Sequence, residues 1–469
     1  METICPSECA KTRFVTWQKI SLFAAAVFLL FAVVSSTETY NFYVRYNPFA
    51  GNHDIFYYSL AALYLIICAH KLWLIILGVG SERTVKITSK EISYVKNWPK
   101  YTILLPLYRE KNMFKQLKKA VDDLEYPKDK LQILLLLERD DTELVDYVKA
   151  QKLEKPWHTI VVPQGYPKTK GRALNFGLEK ATGEYLVIYD AEDIPDKDQL
   201  KKAATAFQKL KDDVVCLQSR LNYYCPYHNL LTKWSTIDYT SWFDIYLPGV
   251  DASGAPVPLG GTSNHLKTKK ITELGGWDPY NVTEDCDLGI RIARRGLKTH
   301  ILDTTTLEEA NTELMNWIKQ RSRWVKGYIQ THLVHMRDPP KLLRELGPVN
   351  FIQLNLVVGG NYLILCLNPL SWAILAAWIL NPARAMPENP LVKSAYVTLL
   401  FGNIFFTIVN AAAVARRRQL RLIIPALLSP IYWILMSVGA LKGLAQFFLR
   451  PHFWEKTDHK LLLNTQVKD

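Results

Sequence analysis

The chain has 469 residues, and 57 Lys and Arg against 44 Asp and Glu give it a formal net charge of +13. Many of the basic residues flank apolar runs, and no zinc-finger, basic-zipper or aromatic RNA-binding pattern accompanies them, so nucleic acid is not expected as a partner. The seven cysteines are scattered, and the Cys5/Cys9 pair has no second half, so we expect free thiols and no structural metal site.

Two apolar runs near the start of the sequence predict membrane spans. They cover residues 17–36 and residues 56–79, the second interrupted by His70 and Lys71. Runs of about 20 apolar residues are long enough to cross a bilayer. A signal peptide is the alternative for the first run, but its apolar core is long and no small-residue cleavage site is clear, which favours a retained anchor.

Apolar runs return after the middle of the chain, at residues 351–380, 391–415 and 420–448. Basic residues beside spans mark the cytoplasmic side, and two N-terminal spans return the chain to its starting side. Three C-terminal spans would then leave the chain end outside. The end stays in the cytoplasm if 351–380 breaks at Asn368-Pro369, or if one run is re-entrant or interfacial, for which residues 420–430 are the candidate.

These patterns divide the chain into four predicted parts: two N-terminal transmembrane helices (1–80), a cytosolic domain (81–349), C-terminal transmembrane or interfacial helices (350–448) and a cytosolic tail (449–469). The protein is therefore expected to be an integral protein of the plasma or inner membrane, with its middle domain in the cytosol.

The middle of the chain alternates between strand and helix patterns. Apolar runs predict strands at 101–106, 131–137, 158–162 and 185–189, and helical spacing predicts helices at 111–124 and 173–180. Strand–helix alternation with polar strand ends indicates an α/β fold with an open, doubly wound sheet. The first strand lacks the glycine-rich turn of a dinucleotide-binding fold.

Acidic residues follow three of these strands, where an open sheet binds its ligands. The residues at these strand ends are Tyr108 and Glu110, Glu138 and Asp140, and Asp190 to Asp193. Three acidic ends favour a nucleoside diphosphate bound through a divalent cation.

Asp190, Glu192 and Asp193 follow their strand almost without a spacer. Mg²⁺ and Mn²⁺ take one or two carboxylates together with phosphate oxygens, so these three residues are candidate metal ligands. The alternative is an acidic turn that caps the following helix.

Asp285 lies in Thr283-Glu284-Asp285 at the start of another helical pattern. As a general base it would remove a proton from an acceptor hydroxyl. The alternative is a capping box that only starts a helix.

Gln320, Arg323 and Trp324 have i, i+3, i+4 spacing and would share one face of a helix. An amide, a permanent cation and a flat ring suit a sugar acceptor beside a diphosphate, whereas the alternative is a basic helix at the membrane surface. Lys170 and Asn175 could reach donor phosphate and ribose, or they could simply lie at a solvated helix start.

Taken together, these motifs resemble the membrane-integrated family 2 glycosyltransferases, which include cellulose, chitin and hyaluronan synthases and glucosyl-diacylglycerol synthases. Leu105-Pro106-Leu107-Tyr108-Arg109-Glu110 resembles their first-strand motif, Asp190-Ala191-Glu192 the Asp-x-Asp motif, and residues 259–265 the acceptor-pocket segment. Thr283-Glu284-Asp285 and Gln320 to Trp324 match the base motif and the Gln-x-x-Arg-Trp motif. Glu138 stands where those enzymes usually have Asp.

The resemblance implies a GT-A-like catalytic domain and an inverting, metal-dependent hexosyltransferase that uses Mg²⁺ or Mn²⁺. It assigns roles residue by residue: Asp285 as the base; Tyr108, Glu110, Glu138, Asp140, Lys170, Asp190 and Arg323 to the donor; Glu284, Gln320 and Trp324 to the acceptor; Asp190, Glu192 and Asp193 to the metal. Residues 453–459 weakly resemble a loop that closes over the nucleotide.

The expected reaction moves a sugar from a UDP-sugar, first of all UDP-glucose, to a growing β-linked polysaccharide. Transfer of one sugar to a lipid is the first alternative, and a non-catalytic nucleotide-sugar-binding membrane subunit is the second. The expected partners are the donor, a glycan or glycolipid acceptor and membrane lipid, while export or accessory subunits stay open.

Overall fold

The computed structural model describes residues 8–24, 52–80, 84–380, 390–453 and 455–456. The first predicted span, 17–36, therefore lies mostly outside the described residues, although residues 16–24 are helical. The second predicted span lies within a long helix, α1 (Asn52–Gly80).

The described part of the middle domain is built on one eight-stranded sheet with strand order β3-β2-β1-β4-β7-β6-β8-β5. The strands are β1 Tyr101–Leu107, β2 Leu131–Glu138, β3 Trp157–Val162, β4 Tyr185–Ile188, β5 Ile194–Pro195, β6 Val214–Tyr223, β7 Asn264–Lys267 and β8 Lys298–Glu308. β1 to β4 pair in parallel, as predicted, whereas β7 is antiparallel to both β4 and β6. The predicted α/β fold is confirmed, with a mixed rather than purely parallel second half.

The helices of the middle domain cover both faces of this sheet, and two apolar clusters fill the space between the layers. In chain order they are α2 Ser89–Ser93, α3 Phe114–Asp122, α4 Thr142–Ala150, α5 Lys170–Lys180, α6 Gln199–Lys209, α7 Leu230–Ser241, α8 Leu247–Ser253, α9 Thr268–Glu273, α10 Glu284–Arg294 and α11 Leu314–His335. The continuous apolar run of β2 is buried on both sides because helices cover both faces.

The C-terminal part is helical, with α12 Pro339–Leu354, α13 Gly360–Leu380, α14 Pro390–Arg416, α15 Ile423–Leu427 and α16 Ser429–Leu449. Four described segments are long and apolar enough to cross a membrane, namely Ala61–Gly80, Pro339–Pro369, Lys393–Arg416 and Ser429–Leu449. They flank the middle domain on both sides in sequence. The alternative in which 351–380 breaks at Asn368-Pro369 is wrong, because α13 continues through Pro369.

The last of these helices, α16, lies along α11 instead of pointing away from the middle domain. Near its start, the Tyr432 ring lies 5.2 Å from the Trp317 ring of α11, and near its end Phe447 packs with Val325 and Ile329. The helix approaches α11 so closely that a methyl group on Gly443 would lie 2.5 Å from a backbone oxygen of α11. Both ends of α16 therefore contact the domain that carries the predicted site.

Candidate active site

The sheet places most of the predicted site residues around one cavity of about 340 Å³ at the carboxyl ends of β1, β2 and β4. The predicted residues that line it are Tyr108, Glu110, Glu138, Lys170, Asp190, Glu192, Glu284, Asp285, Gln320, Arg323 and Trp324. Parallel strands end at the same edge of a sheet, which explains why residues far apart in the chain meet here.

One end of the cavity is built around Tyr108, directly after β1. Its hydroxyl donates to Asp140 over 3.4 Å, and Lys168 forms an ion pair with Asp140 while lying 5.1 Å from the Tyr108 ring. Asp140 itself does not line the cavity. Burial raises the pKa of Glu138, although the Arg172 guanidinium 3.6 Å away opposes the shift. A flat ring with charged and polar neighbours suits a nucleobase and its ribose.

Asp190, Lys170 and Asp285 converge at the middle of the cavity. Lys170, the first residue of α5, forms an ion pair with Asp190 and donates to the Gly261 carbonyl over 2.7 Å. A methyl group at Gly261 would lie 3.4 Å from Asp285 Oδ2, 3.9 Å from Lys170 Nζ and 4.0 Å from Asp190 Oδ2. Any side chain at Gly261 would thus intrude among these three charged groups.

The acidic groups beside Asp190 repel one another. Burial, and then the charge of Asp190, raise the pKa of both Glu192 and Asp193. The pKa of Glu308, at the end of β8, is raised by burial and by the charge of Asp193. The positive charge of Lys170 opposes this rise in pKa for both Glu192 and Glu308.

This excess of carboxylates fits a divalent cation at Asp190 and Glu192, which both line the cavity. Among the described residues no three His, Cys, Asp or Glu form a closed metal site, so the fit is to a cation that also takes phosphate oxygens.

Asp193, the third predicted metal ligand, lies differently from the prediction. It is fully buried, does not line the cavity, and accepts from the Thr262 hydroxyl and the Asp190 amide. Asp193 therefore holds the turn that presents Asp190, although its Oδ1 has no hydrogen-bond partner in the described structure.

Glu284 and Asp285 form the first turn of α10, where the helix dipole favours negative charge. Burial raises the pKa of Asp285 to about 6, while the charge of Lys170 lowers it. Burial and the charge of Asp285 raise the pKa of Glu284 to about 8. The capping-box alternative is wrong, because the Thr283 side chain makes no capping hydrogen bond. A carboxyl group with a pKa near 6 suits a general base.

α10 is fixed by buried charges behind the cavity. Asp287 accepts from Arg291 over 2.7 Å and lies 3.0 Å from His335 of α11. Arg294 pairs with Glu8 over 3.1 Å, so a segment before the first predicted span also packs on this helix. The contacts of Asp287 hold the Asp285 end of α10, and the pair of Arg294 holds its other end.

α11 carries Gln320, Arg323 and Trp324 on one face, as predicted, and that face lines the cavity. Trp324 is held by Arg321, whose guanidinium carbon lies 4.2 Å from the ring centroid. Arg321 in turn pairs with Asp238 over 3.4 Å. The indole is therefore fixed before any ligand binds.

The far end of the cavity reaches the apolar helices. Its walls there include Lys71 of α1, Asn361 and Leu365 of α13, and Trp433 and Met436 of α16. One space thus extends from Tyr108 to three of the candidate membrane-spanning segments.

The residues after α16 fold back toward Tyr108. Lys456 donates to the Tyr108 carbonyl and lies 3.4 Å from Glu110. Glu455 pairs with Lys442 over 2.9 Å and accepts from Ser322 of α11 over 3.4 Å. Trp454 and residues 457–459 of the predicted loop lie outside the described residues.

Several features of the site were not predicted from the sequence. Lys168, Arg321, Glu308 and Gly261 were given no role from the sequence. Lys168 stands two residues before Lys170, and Arg321 and Gly261 lie inside the Gln320–Trp324 motif and the 259–265 segment, but their positions in the site depend on long-range contacts. Asn175 corrects a prediction, because its amide bonds to the backbone of Trp277 over 2.8 Å and 2.9 Å and does not line the cavity.

Two family models match this chain. Residues 185–438, more than half of the chain, match the model described as glycosyl transferase family group 2, and residues 102–259 match glycosyl transferase family 2. Both matched regions include the strand that leads to Asp190.

Two curated relatives are similar over part of their length. The chain is 25% identical over 295 residues to the probable glycosyltransferase YdaM of Bacillus subtilis, which covers 59% of this chain and 66% of that protein. It is 25% identical over 240 residues to the probable glucomannan 4-beta-mannosyltransferase 7 of Oryza sativa subsp. japonica, covering 49% of this chain and 40% of that protein. The matches thus span less than two thirds of each relative.

A mannosyltransferase from Pyrobaculum calidifontis, solved in complex with GDP-Man and Mn²⁺, shares the fold. Its TM-score is 0.52 at 18% identity, and the match covers 83% of this chain and 99% of that one. The fold is therefore GT-A-like, an open α/β sheet with apolar helices flanking the domain. With a family model matched over more than half of its length, the chain belongs to glycosyltransferase family 2.

Proposed function

We propose that the protein is an inverting hexosyltransferase that moves a sugar from UDP-glucose to an acceptor hydroxyl at the membrane boundary. One observation carries this proposal: a single cavity joins Tyr108, the Lys170–Asp190 pair, Asp285 and Trp324, and then continues to the apolar helices. The proposed donor, base and acceptor groups thus line one space, as the reaction would require.

In this mechanism the Asp285 carboxylate takes the proton of the acceptor hydroxyl. The hydroxyl oxygen attacks the anomeric carbon from the side opposite the diphosphate, which leaves with its bonding electron pair and inverts the configuration. Lys170 and Arg323 face the diphosphate and stabilise its developing charge. A divalent cation bound by Asp190 and Glu192 would neutralise further charge on the leaving group.

The first candidate acceptor is a growing β-linked polysaccharide. The Trp324 ring, fixed by Arg321, offers a flat surface for a sugar, and Gln320 and Glu284 offer polar groups beside it. Glu284, with a pKa near 8, can donate a hydrogen bond at neutral pH. A lipid acceptor is the second candidate, favoured by the apolar walls at Leu365 and Met436.

The similar proteins point to a second candidate donor. Two of the similar proteins carry mannose in their names, and one was solved with GDP-Man. GDP-mannose is therefore the principal rival of UDP-glucose as donor.

The contacts of α16 support a cytosolic site and a cytosolic chain end. A 21-residue helix is about 31 Å long, so a crossing helix would separate its ends by a bilayer. Instead, Tyr432 donates to Asp238 at one end, and Arg13 donates to the Phe448 carbonyl over 2.6 Å at the other. We propose that α16 lies at the membrane interface, which keeps Lys456 beside Tyr108, where the tail can cover the donor.

The test measures where labelled sugar is transferred by the purified protein, reconstituted in nanodiscs with Mg²⁺ or Mn²⁺. Labelled UDP-glucose, other UDP-sugars and GDP-mannose are supplied to the wild type and to Asp285→Asn. Label in a long polymer that a β-glycosidase digests supports polysaccharide synthesis, and label in a single-sugar lipid supports the second candidate. Binding of donor with neither transfer nor hydrolysis by the wild type would indicate a non-catalytic subunit and contradict the proposal.

A further inference from the structure

Lys71 is an ionisable residue within an apolar helix at the membrane end of the cavity. It lies in the candidate span Ala61–Gly80 and lines the cavity together with aromatic and apolar side chains. Ionisable residues in membrane helices are costly and usually mark a ligand path or binding site.

The ammonium of Lys71 has aromatic neighbours. Its nitrogen lies 5.0 Å from the Phe406 ring centroid and 5.8 Å from that of Tyr246. Among the described residues, the contacts of this ammonium are with aromatic rings, and no hydrogen bond or ion pair is formed with it. Aromatic faces attract a cation but do not neutralise its charge.

The acidic residue on the same wall is already engaged. Asp238 lies 3.4 Å from the Arg321 guanidinium and accepts from the Tyr432 hydroxyl over 3.2 Å. Asp238 is therefore committed to the group that holds Trp324 and forms no ion pair with Lys71.

The geometry points to a lipid-borne phosphate as the ligand of Lys71, which makes the membrane end of the cavity an anionic lipid subsite. A phosphate supplies both the charge and the hydrogen-bond acceptors that the ammonium lacks, whereas a neutral glycan supplies only hydroxyl groups. The acyl chains would lie against Leu365, Trp433 and Met436, which line the same end. This inference rests on the proposed transferase function, because it assigns the acceptor end of the same cavity.

The phosphate has two sources that an experiment can separate. It belongs either to the lipid that receives the sugar or to a bilayer phospholipid that occupies the passage without reacting. Both sources require Lys71 to recognise the phosphate.

The test measures lipid binding by the full chain in a maltoside detergent, without sugar nucleotide. Phosphatidic acid with brominated acyl chains is titrated, and quenching of tryptophan fluorescence reports binding, because Trp242 and Trp433 line the cavity. Lys71→Gln should weaken binding about tenfold or more, while Lys71→Arg should stay close to the wild type. Lys393→Gln is the matched control, because Lys393 is exposed on α14 and does not line the cavity.

A second measurement compares two lipids on the wild type, so it remains valid even if Lys71→Gln fails to fold. Brominated diacylglycerol with the same chains should quench the wild type far less than phosphatidic acid does. Equal binding of both lipids, or unchanged binding by a folded Lys71→Gln, overturns the inference.

The two sources are then separated with phosphatidylglycerol, whose headgroup carries hydroxyls, in the presence of labelled donor. Label on phosphatidylglycerol identifies the acceptor, and bound but unlabelled lipid identifies a resident phospholipid. Millimolar inorganic phosphate should not displace either lipid, and full displacement would show a free-anion site instead. Because binding is measured without donor, loss of lipid binding and failure of sugar transfer are distinguishable.

Discussion

Gly327 of α11 lies directly against Thr283, the residue that precedes Glu284 and Asp285. A methyl group on Gly327 would lie 2.3 Å from the Thr283 hydroxyl oxygen and 2.3 Å from its methyl carbon. The helix that carries Trp324 and the helix that carries Asp285 therefore meet at a site with no room for a side chain. Glycine at position 327 sets the separation between the proposed acceptor surface at Trp324 and the proposed base Asp285.

Gly327→Ala should consequently damage both stability and turnover. Thr283 is short and β-branched and cannot move away, so we expect a loss of about 1–3 kcal/mol in unfolding free energy together with a lower kcat. Thermal unfolding and steady-state transfer by the purified variant measure these effects. Gly402→Ala in α14 is the control, because its methyl group would meet only Thr398, at 3.9 Å. Wild-type kcat in Gly327→Ala would contradict this role.

The parts of the site that could be predicted are those that local sequence determines. Asp140 and Asp190 follow strong apolar strands, so their place at one sheet edge follows from the parallel pairing of those strands. Gln320 and Trp324 share a helix face because of their spacing alone. Their roles in binding and catalysis stay predictions until they are measured.

The parts that could not be predicted depend on contacts between distant segments. β7 is only four residues long and contains His265 and Lys267, so it lacks the apolar run that marked the other strands. The buried position of Asp193 depends on Thr262, which is 69 residues away. The position of Lys71 beside aromatic rings depends on Phe406 of α14 and on Tyr246, which are far from it in the sequence.

The pH dependence of transfer should follow the ionisation of Asp285. Its carboxylate acts as a base only when deprotonated, and its pKa is raised to about 6, so kcat should rise with pH through this value and then level off. The positive charge of Lys170 lowers this pKa. Lys170→Met should therefore move the acidic limb of the profile to higher pH, measured at saturating donor. A limb that stays in place, or moves to lower pH, would show that another group titrates.

Trp324→Ala should separate acceptor use from donor use. Loss of the ring removes the proposed sugar platform, so we expect transfer at subsaturating acceptor to fall about tenfold, equivalent to about 1.4 kcal/mol. Hydrolysis of the donor by water should persist, because Tyr108 and Lys170 are untouched. The control is Trp73→Ala, since Trp73 is exposed on α1 and does not line the cavity. Equal loss of transfer and hydrolysis would argue against a platform.

Lys456→Ala should weaken donor binding. Lys456 lies 5.5 Å from the Tyr108 ring, contacts the backbone of the same residue and lies 3.4 Å from Glu110, so its removal frees the tail at the nucleotide end of the cavity. The donor KM should rise several-fold, with the acceptor KM unchanged. Lys341→Ala, which removes a 3.8 Å pair with Glu345 on α12, is the control. An unchanged donor KM would show that the tail does not contribute to nucleotide binding.

The most direct test of the account compares Asp285→Asn with the wild type in two assays, sugar transfer and UDP binding by calorimetry. Asparagine keeps the size of the side chain and its hydrogen bond from the Cys286 amide, but it cannot accept the hydroxyl proton. We predict that transfer falls by about 10²–10⁴-fold while UDP affinity stays within about threefold of the wild type. Retained transfer, or equal loss of transfer and UDP binding, would contradict the assignment of Asp285 as the catalytic base.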